Sequence, residues 1–413
     1  MFIPTAKAGA AVVLLATLLA ASIAYSAAGQ KEAAPPGAKI DAVDEKAVRA
    51  LIVQLADNAF DVREAAHKRL AALGEPALEL LQRAAKENPD TEVRERLRQL
   101  IGAITSSFFV EVRRFEAPRS FTQRLGVTPD GLQVVAVGFQ ALRCLNLADG
   151  KETVDFEWPA TIRFSWGFGI SPDGGRVITG SDDKVARVFD VKTGKLIKEL
   201  KGHTAQVYGA ALLPGGKRAI TGGMDHSLRL WDVDSGLEIR AFEKVPDDVH
   251  CLTVSPDGKL VAVGHTIGYE EPGTIRLWDV ESGREVRTLT GHTKRLCSVQ
   301  FALDGKTLVS SSFDKTVRLW DVAQGKLLKT LEGHPDRVEG AAFTVDGKRV
   351  LSVGDQSNPI VIMWDIATGA ILYQTPPVGG GFLDVLALAD GRHCLTCGKD
   401  GAIRLWQWEV AAR

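Results

Sequence analysis

Residues 309–334 read VSSSFDKTVRLWDVAQGKLLKTLEGH. Two short apolar runs alternate with period two, the pattern of half-buried strands. A tight turn at Phe313-Asp314 separates them, a Trp320-Asp321 pair ends the second run, and Gly325 closes another turn before Gly333-His334. The unit recurs. With the tryptophan as marker, equivalents fall at Leu145, Phe189, Trp231, Trp278, Trp320, Trp364 and Trp406, separated by 44, 42, 47, 42, 44 and 42 residues. A fixed period of about 40–45 residues built from strand-length runs marks four-stranded units arranged radially, a β-propeller.

Each copy carries a second signal ahead of its middle strands: Thr128-Pro129-Asp130-Gly131 in the first, Ser171-Pro172-Asp173-Gly174 in the second, Ser255-Pro256-Asp257-Gly258 in the fourth, with related turns at 213–216, 302–305, 344–347 and 388–391. Proline presets one turn angle and glycine tolerates positive φ, so these are hairpin turns. Four copies keep Trp-Asp intact, at 231–232, 278–279, 320–321 and 364–365. With the in-phase Gly-His signals, residues 108–413 resemble a WD40 propeller. The expected fold is an all-β, seven-bladed β-propeller of WD40-like type.

After Trp406 too little chain remains for a further turn and strand. Val112-Arg113-Arg114-Phe115 aligns with the fourth strand of a complete copy, Val286-Arg287-Thr288-Leu289. Residues 110–115 are therefore expected to complete blade seven and close the ring, pairing an edge otherwise bare.

A chain of 413 residues exceeds one ordinary core, so more than one domain is expected. Net charge −1 gives no basic footprint, and no nucleic-acid partner is expected. Lys7 precedes an apolar run over 8–24, followed by small residues through Gly29. This has the shape of a secretory signal over 1–28; the same run over 8–28 is long enough to remain as a membrane anchor. Either way the folded part is expected outside the cytoplasm, periplasmic or in the cell envelope, as a bacterial, exported propeller protein. Residues 29–41, with Pro35-Pro36, read as a flexible linker.

Over 42–105 the apolar period changes to about 3.6, the mark of helices. Val48, Leu51, Ile52 and Leu55 form one stripe, and Val62, Ala66, Leu70 and Leu73 a second. Leu78, Leu81 and Ala85 form a third, and Val93, Leu97, Leu100 and Ile104 a fourth. Asp61 with Glu64 reads as a capping-box start. Gly74 then Pro76 reads as a stop and restart. The phrases at 61–66 and 91–96 resemble HEAT-like repeats, implying a small all-α domain; a four-helix bundle accounts for the same stripes. Five cysteines include the lone pair Cys394 and Cys397, which three-residue spacing places on opposite faces of a strand, so no metal or redox use is expected.

Recurring His, Ser/Thr, Asp and Trp residues could be mistaken for catalytic triads. The WD40 resemblance implies instead buried structural tetrads, His203-Thr221-Asp225-Trp231 and His292-Ser310-Asp314-Trp320, with His334, Ser352 and Trp364 in blade six and Asp355 an uncertain fourth member. No P-loop, dinucleotide fingerprint, H-E-x-x-H or G-x-S-x-G motif occurs. No catalytic residue, cofactor or metal is expected, and the protein is expected not to be an enzyme.

What remains is surface. By the family's geometry, the start of each innermost strand rings one mouth of the channel, here Gln123, Trp166, Tyr208, His250, Cys297, Glu339 and Leu383. Two residues earlier stand Phe164, Arg295 and Arg337; just before the tetrad Asp positions stand Asp182, Met224, Phe313 and Lys399. Aromatic, Met and Arg side chains gathered on one rim fit a partner surface. The partner-binding set is Phe164, Trp166, Tyr208, Met224, His250, Arg295, Phe313, Arg337 and Glu339. Lengthened loops at 264–273 and 354–359 fall on the same face. The expected function is a non-enzymatic scaffold docking a protein or peptide. An extracytoplasmic propeller enzyme, or a small-ligand or metal binder using the channel, is the alternative.

Overall fold

The computed structural model describes residues 44–106, 109–115, 121–242, 245–266, 268, 270–354 and 359–408. The leader and linker assigned to residues 1–41 lie outside these. Four helices come first: α1 (Glu45–Gln54), α2 (Phe60–Leu73), α3 (Leu78–Glu87) and α4 (Thr91–Ser106), with a 3-10 turn at Glu75–Ala77. None of the described helices is long and apolar enough to cross a membrane.

The helix starts differ in part from expectation. Helix α2 begins at Phe60 with Ala59 as N-cap and no side-chain cap bond, so Asp61 sits inside the first turn and forms no capping box. The carboxylate that works there is Asp57, which takes the Ala59 amide at 2.8 Å. Gly74 ends α2 at φ 64°, and Asp90 caps α4 by accepting from the Glu92 and Val93 amides at 2.8 and 3.2 Å. Val48, Leu51, Leu70, Leu81, Leu97 and Leu100 are buried along the facing stripes.

The remaining chain makes seven four-stranded antiparallel sheets. Six are consecutive in sequence, at 122–155, 165–201, 207–241, 249–289, 296–332 and 338–374 (blades one to six). The seventh takes three strands from 382–408 and its outermost strand, β1 (Phe109–Phe115), from before blade one. Phe109 lies opposite Trp408 and Phe115 opposite Ile403, with a bulge at Val112. The Phe109 ring stacks on Trp406 and Trp408 at 5.8 and 5.9 Å.

The inner edge of the same seam is tied separately. The Leu125 amide of blade one donates to Asp384 Oδ2 of blade seven at 2.9 Å, and Arg124 donates to the Leu383 carbonyl at 3.2 Å. Burial pushes the Asp384 carboxyl up despite the Arg124 charge beside it.

Helices and propeller form one compact unit over 45–413. Helix α4 runs along the outer edge of blade six, where the strand Ile371–Gln374 would otherwise end the sheet. Thr105 Oγ1 accepts the Gln374 amide at 3.2 Å, and the Gln82 side chain donates to the Ile371 carbonyl. Gly102 lies under the same side chain: a Cβ there would sit 2.2 Å from Gln374 Nε2 and turn the amide aside.

Truncating Phe109 to alanine is expected to destabilise the protein by about 3–5 kcal/mol, the cost of a buried aromatic. Val112→Ala, at the exposed bulge, is expected to change stability by less than about 0.5 kcal/mol. Urea titration of both variants checks the difference.

Candidate functional site

One mouth of the channel is built by loops that enter each innermost strand and by turns that join the two middle strands. In blade three, His203 Nδ1 meets Asp225 at 2.9 Å and His203 Nε2 meets Thr221 Oγ1 at 2.7 Å. Trp231 Nε1 donates to the same hydroxyl at 2.7 Å. Blade five repeats the chain through His292, Asp314, Ser310 and Trp320, with distances of 2.7 to 2.8 Å. In blade six His334 and Trp364 both meet Ser352 Oγ at 2.7 Å. Asp355 lies outside the described residues.

These groups are buried, so each bond has low-dielectric weight. Burial raises the Asp225 and Asp314 carboxyls, yet the hydrogen bonds from His203 and Ser227, and from His292 and Thr316, outweigh it and hold both well below the usual range. The Asp also accepts a loop amide, Thr204 N at 2.8 Å in blade three and Thr293 N at 3.1 Å in blade five. A tetrad therefore clamps entry loop to turn. It offers no free nucleophile.

Blades two and seven use another solution, which sequence spacing missed. Neither has a Gly-His. Instead a buried arginine two residues before the marker takes the tetrad Asp: Arg187 meets Asp183 at 2.6 Å, and Arg404 meets Asp400. Each bonds a second carboxylate, Glu199 at 3.0 Å and Glu111 at 3.5 Å. Blade four has no hydroxyl at this place. Val263 occupies the register position of Thr221, and Trp278 Nε1 has no partner among the described residues.

Every innermost strand carries one β-bulge, and all seven fall in phase at Gln123, Trp166, Tyr208, His250, Cys297, Glu339 and Leu383. A bulge leaves its residue outside the ladder and re-aims its side chain. A second tie recurs at this mouth: Phe139, Asp182, Met224, Phe313 and Lys399 each donate a backbone amide to the carbonyl at the entry of their blade's first strand. The non-glycine residues with positive φ, Gln140, Lys184, His226 and Lys315, all stand in these turns.

The rim that results is divided. Across blades one to four the rings form a continuous run. Phe139 meets Phe164 edge-on at 5.0 Å, Phe164 stacks on Trp166 at 5.4 Å, Trp166 on Tyr208 at 4.3 Å, and Tyr208 meets His250 edge-on at 5.5 Å. Across blades five and six the guanidiniums of Arg295 and Arg337 lie over the Phe313 ring at 5.5 and 4.7 Å, and Arg337 pairs with Glu339 at 3.1 Å. Met224 stands half-buried in the blade-three turn. Phe139 was not singled out in sequence. Its turn has lost the tetrad Asp, but alignment with Phe313 could have found it.

At the other mouth a cavity of about 340 Å³ is lined by Phe168, Ile170, Leu252, Val254, Pro214 and Gln300, among others. All five cysteines are free and buried. Cys394 and Cys397 pack into different clusters on the two sides of blade seven. Among the described residues no three His, Cys, Asp or Glu side chains gather to hold a metal ion.

Residues 165–412, which take in blades two to six and three strands of blade seven, match the family model described as the IFT122 first beta-propeller. The chain belongs to that family. The IFT122-type propeller is typically non-enzymatic. Its fold is one typical of protein-interaction scaffolds. The family also corrects the setting expected from residues 8–28: an IFT122-type propeller points to a cytoplasmic or ciliary eukaryotic protein, not a periplasmic or secreted bacterial one. The physical reason for the error is that an alanine-rich apolar run behind one lysine reports hydropathy, which many segments share, and carries no address by itself.

Removing the shared hydroxyl with Thr221→Val leaves His203 and Trp231 short of a partner and is expected to cost roughly 2–4 kcal/mol. The exposed Thr290→Val should cost less than about 0.5 kcal/mol by the same denaturation assay. Acid stability supplies a second check. Burial pushes His250 and His265 down to about 4, with Arg295 and Arg276 adding to it, and pushes His334 down to about 3. The folded protein keeps these rings neutral, whereas the unfolded chain binds their protons near pH 6.5. Stability is therefore expected to fall as pH drops below about 6.5, and to go on falling to about 4 and, for His334, about 3. Urea midpoints across that range measure it, and His265→Leu should flatten the slope.

Proposed function

We propose that this chain is a WD40-type docking scaffold, and that a protein or peptide segment binds across the channel mouth bearing the aromatic run. The helical segment, 42–105, is read as HEAT-like support for the propeller spanning 108–413. The observation that carries the reading is the unbroken succession Phe139, Phe164, Trp166, Tyr208 and His250, half-buried and spread over four blades. Core packing within a propeller is local to a blade and its neighbour. A stack that crosses four blades at their open ends, where bulges turn the side chains out of the ladder, adds little to any single core. It does supply rigid amphipathic rings, the residue class that dominates binding energy at interfaces.

Phe164, Trp166, Tyr208, Met224 and His250 are assigned to an apolar half of the site. Arg295, Phe313, Arg337 and Glu339 are assigned to a polar half. Cation–π contact holds the arginines against Phe313, so little side-chain freedom is lost when a partner docks. The tetrads and their arginine substitutes keep the loops that carry these residues in place.

Selection from a displayed random-peptide library tests the reading. The intact chain should enrich a defined set of peptides, and the Trp166→Ala and Tyr208→Ala variants should bind that set at least about tenfold more weakly. Leu252→Ala, in the cavity at the opposite mouth, should leave binding unchanged. If Leu252→Ala abolishes capture while the two rim variants retain it, the docking face has been placed on the wrong side.

A further inference from the structure

We infer that the channel mouth opposite the rim binds a small, neutral, amide-bearing ligand, held by strand-edge backbone groups of blades two to four. The site is separate from the docking rim and does not depend on it. Missing acceptors are the deciding observation. An innermost strand has a ladder partner on one side only, so alternate backbone amides and carbonyls face the lumen. Where a side chain meets those amides, it comes from the preceding blade. The Ala341 amide donates to Ser298 Oγ at 3.1 Å and the Phe343 amide to Gln300 Oε1 at 2.9 Å. The Leu125 amide does the same to Asp384 across the closing seam. Ser298 and Asp384 follow the bulge of their strand by one residue, and Gln300 follows it by three.

At those two positions blade one has Arg124 and Gly126, blade two Gly167 and Gly169, and blade three Gly209 and Ala211. None of these side chains can accept a hydrogen bond. The in-phase amides of the next blades, at Phe168, Ile170, Ala210, Leu212, Leu252 and Val254, therefore face the lumen without such a tie. The same small residues make room, and the cavity of about 340 Å³ lies along this stretch, large enough for a small ligand. A Cβ at Gly126 would sit 2.8 Å from the Phe168 ring, and one at Gly209 would sit 2.6 Å from Leu252 Cδ2. Both side chains thus lie over a glycine of the preceding blade as apolar walls. The edge of blade seven also faces small residues, Gly340 and Ala342, but lies outside the cavity; Thr253, which faces blade five, lines it.

Among the described residues no charged side chain lines the cavity, so an ion entering it would lose hydration and find no counter-charge. An amide supplies a carbonyl to the edge N–H groups and an N–H to the edge carbonyls. Its apolar body covers Phe168 and Leu252. Water can serve the edges but leaves those walls wet, and a ligand that reproduces its bonds gains on it.

The probe is N-acetyl-leucine N-methylamide, titrated into the full chain near neutral pH and followed by ligand-observed NMR. It should bind saturably. N-acetyl-leucinate and leucine N-methylamide, which each carry one charge, should bind at least about tenfold less tightly. Ala211→Gln sets beside Val254 the side chain that Gln300 sets beside Phe343. Verified as folded by its thermal transition, that variant should lose about tenfold or more in affinity. With photo-leucine in place of leucine, the probe should label the parent chain within 168–172, 211–214 or 252–256, which decides the matter should Ala211→Gln not fold. The site is overturned if the neutral probe fails to bind, if either charged analogue binds equally, or if folded Ala211→Gln binds within about twofold of the parent. Label falling on Trp166 or Tyr208 would overturn it too, by placing the probe on the rim.

Discussion

A β-sheet edge must be satisfied, and this fold is arranged around that requirement. Seven wedge-shaped blades make a ring only if the last one is finished by the strand that precedes the first. Here Phe109 meets Trp408 across nearly the whole domain. Closing so long a loop costs less than intuition suggests, because the entropic term grows only with the logarithm of loop length. Two separate sets of contacts offset it: the ladder and ring stack at the outer edge, and the Leu125–Asp384 bond with the Arg124 charge at the inner edge. The helices extend the same logic. Helix α4 supplies Thr105 to the short strand at the rim of blade six and then leads directly into the closing strand.

Closure turns repetition into rigidity. With the blades held in register, each entry loop and its neighbouring turn need only a local tie. Blades three and five use histidine and aspartate, whereas blades two and seven use a buried arginine between two carboxylates. The chemistries differ in reach: the histidine joins entry loop to turn, whereas the arginine joins the turn carboxylate to a carboxylate on the blade's outer strand. On that fixed frame the seven bulges present seven side chains to one mouth.

What could be read in the sequence was what repeats. The turn glycines, the Trp markers and the ring positions hold a fixed offset from one another, so an error in one copy is corrected by the other six. The fourth strand of blade seven was readable because Val112 to Phe115 matches a strand elsewhere in the chain. Features without a repeat were opaque. Ala59, a poor capping residue, starts α2 because Asp57 and the preceding turn set its geometry. Arginine two residues before the marker does repeat, in six copies, but the pairing of Arg187 and Arg404 with Asp183 and Asp400 shows only once the absent histidines leave those carboxylates to be satisfied. The compartment was misread because residues 8–24 were weighed by composition alone.

The division of the rim follows from where the tetrads are missing. Blades one and four carry Ala136 and Val263 where the other blades have a hydroxyl, and there the aromatic run begins and ends. Phe139 and Phe164 join blade one to blade two, and Tyr208 with His250 joins blade three to blade four, so ring contacts add cohesion between blades to the polar ties within blades two and three. The same rings then have two duties that constrain each other. A partner that pried Trp166 from Tyr208 would lose cohesion in the wall it binds. Productive docking must therefore leave the stack closed and use its edges and terminal faces, with the cations over Phe313 setting direction along the run. Affinity on such a surface comes from shape held in advance, and the ring closure at Phe109 is what holds it.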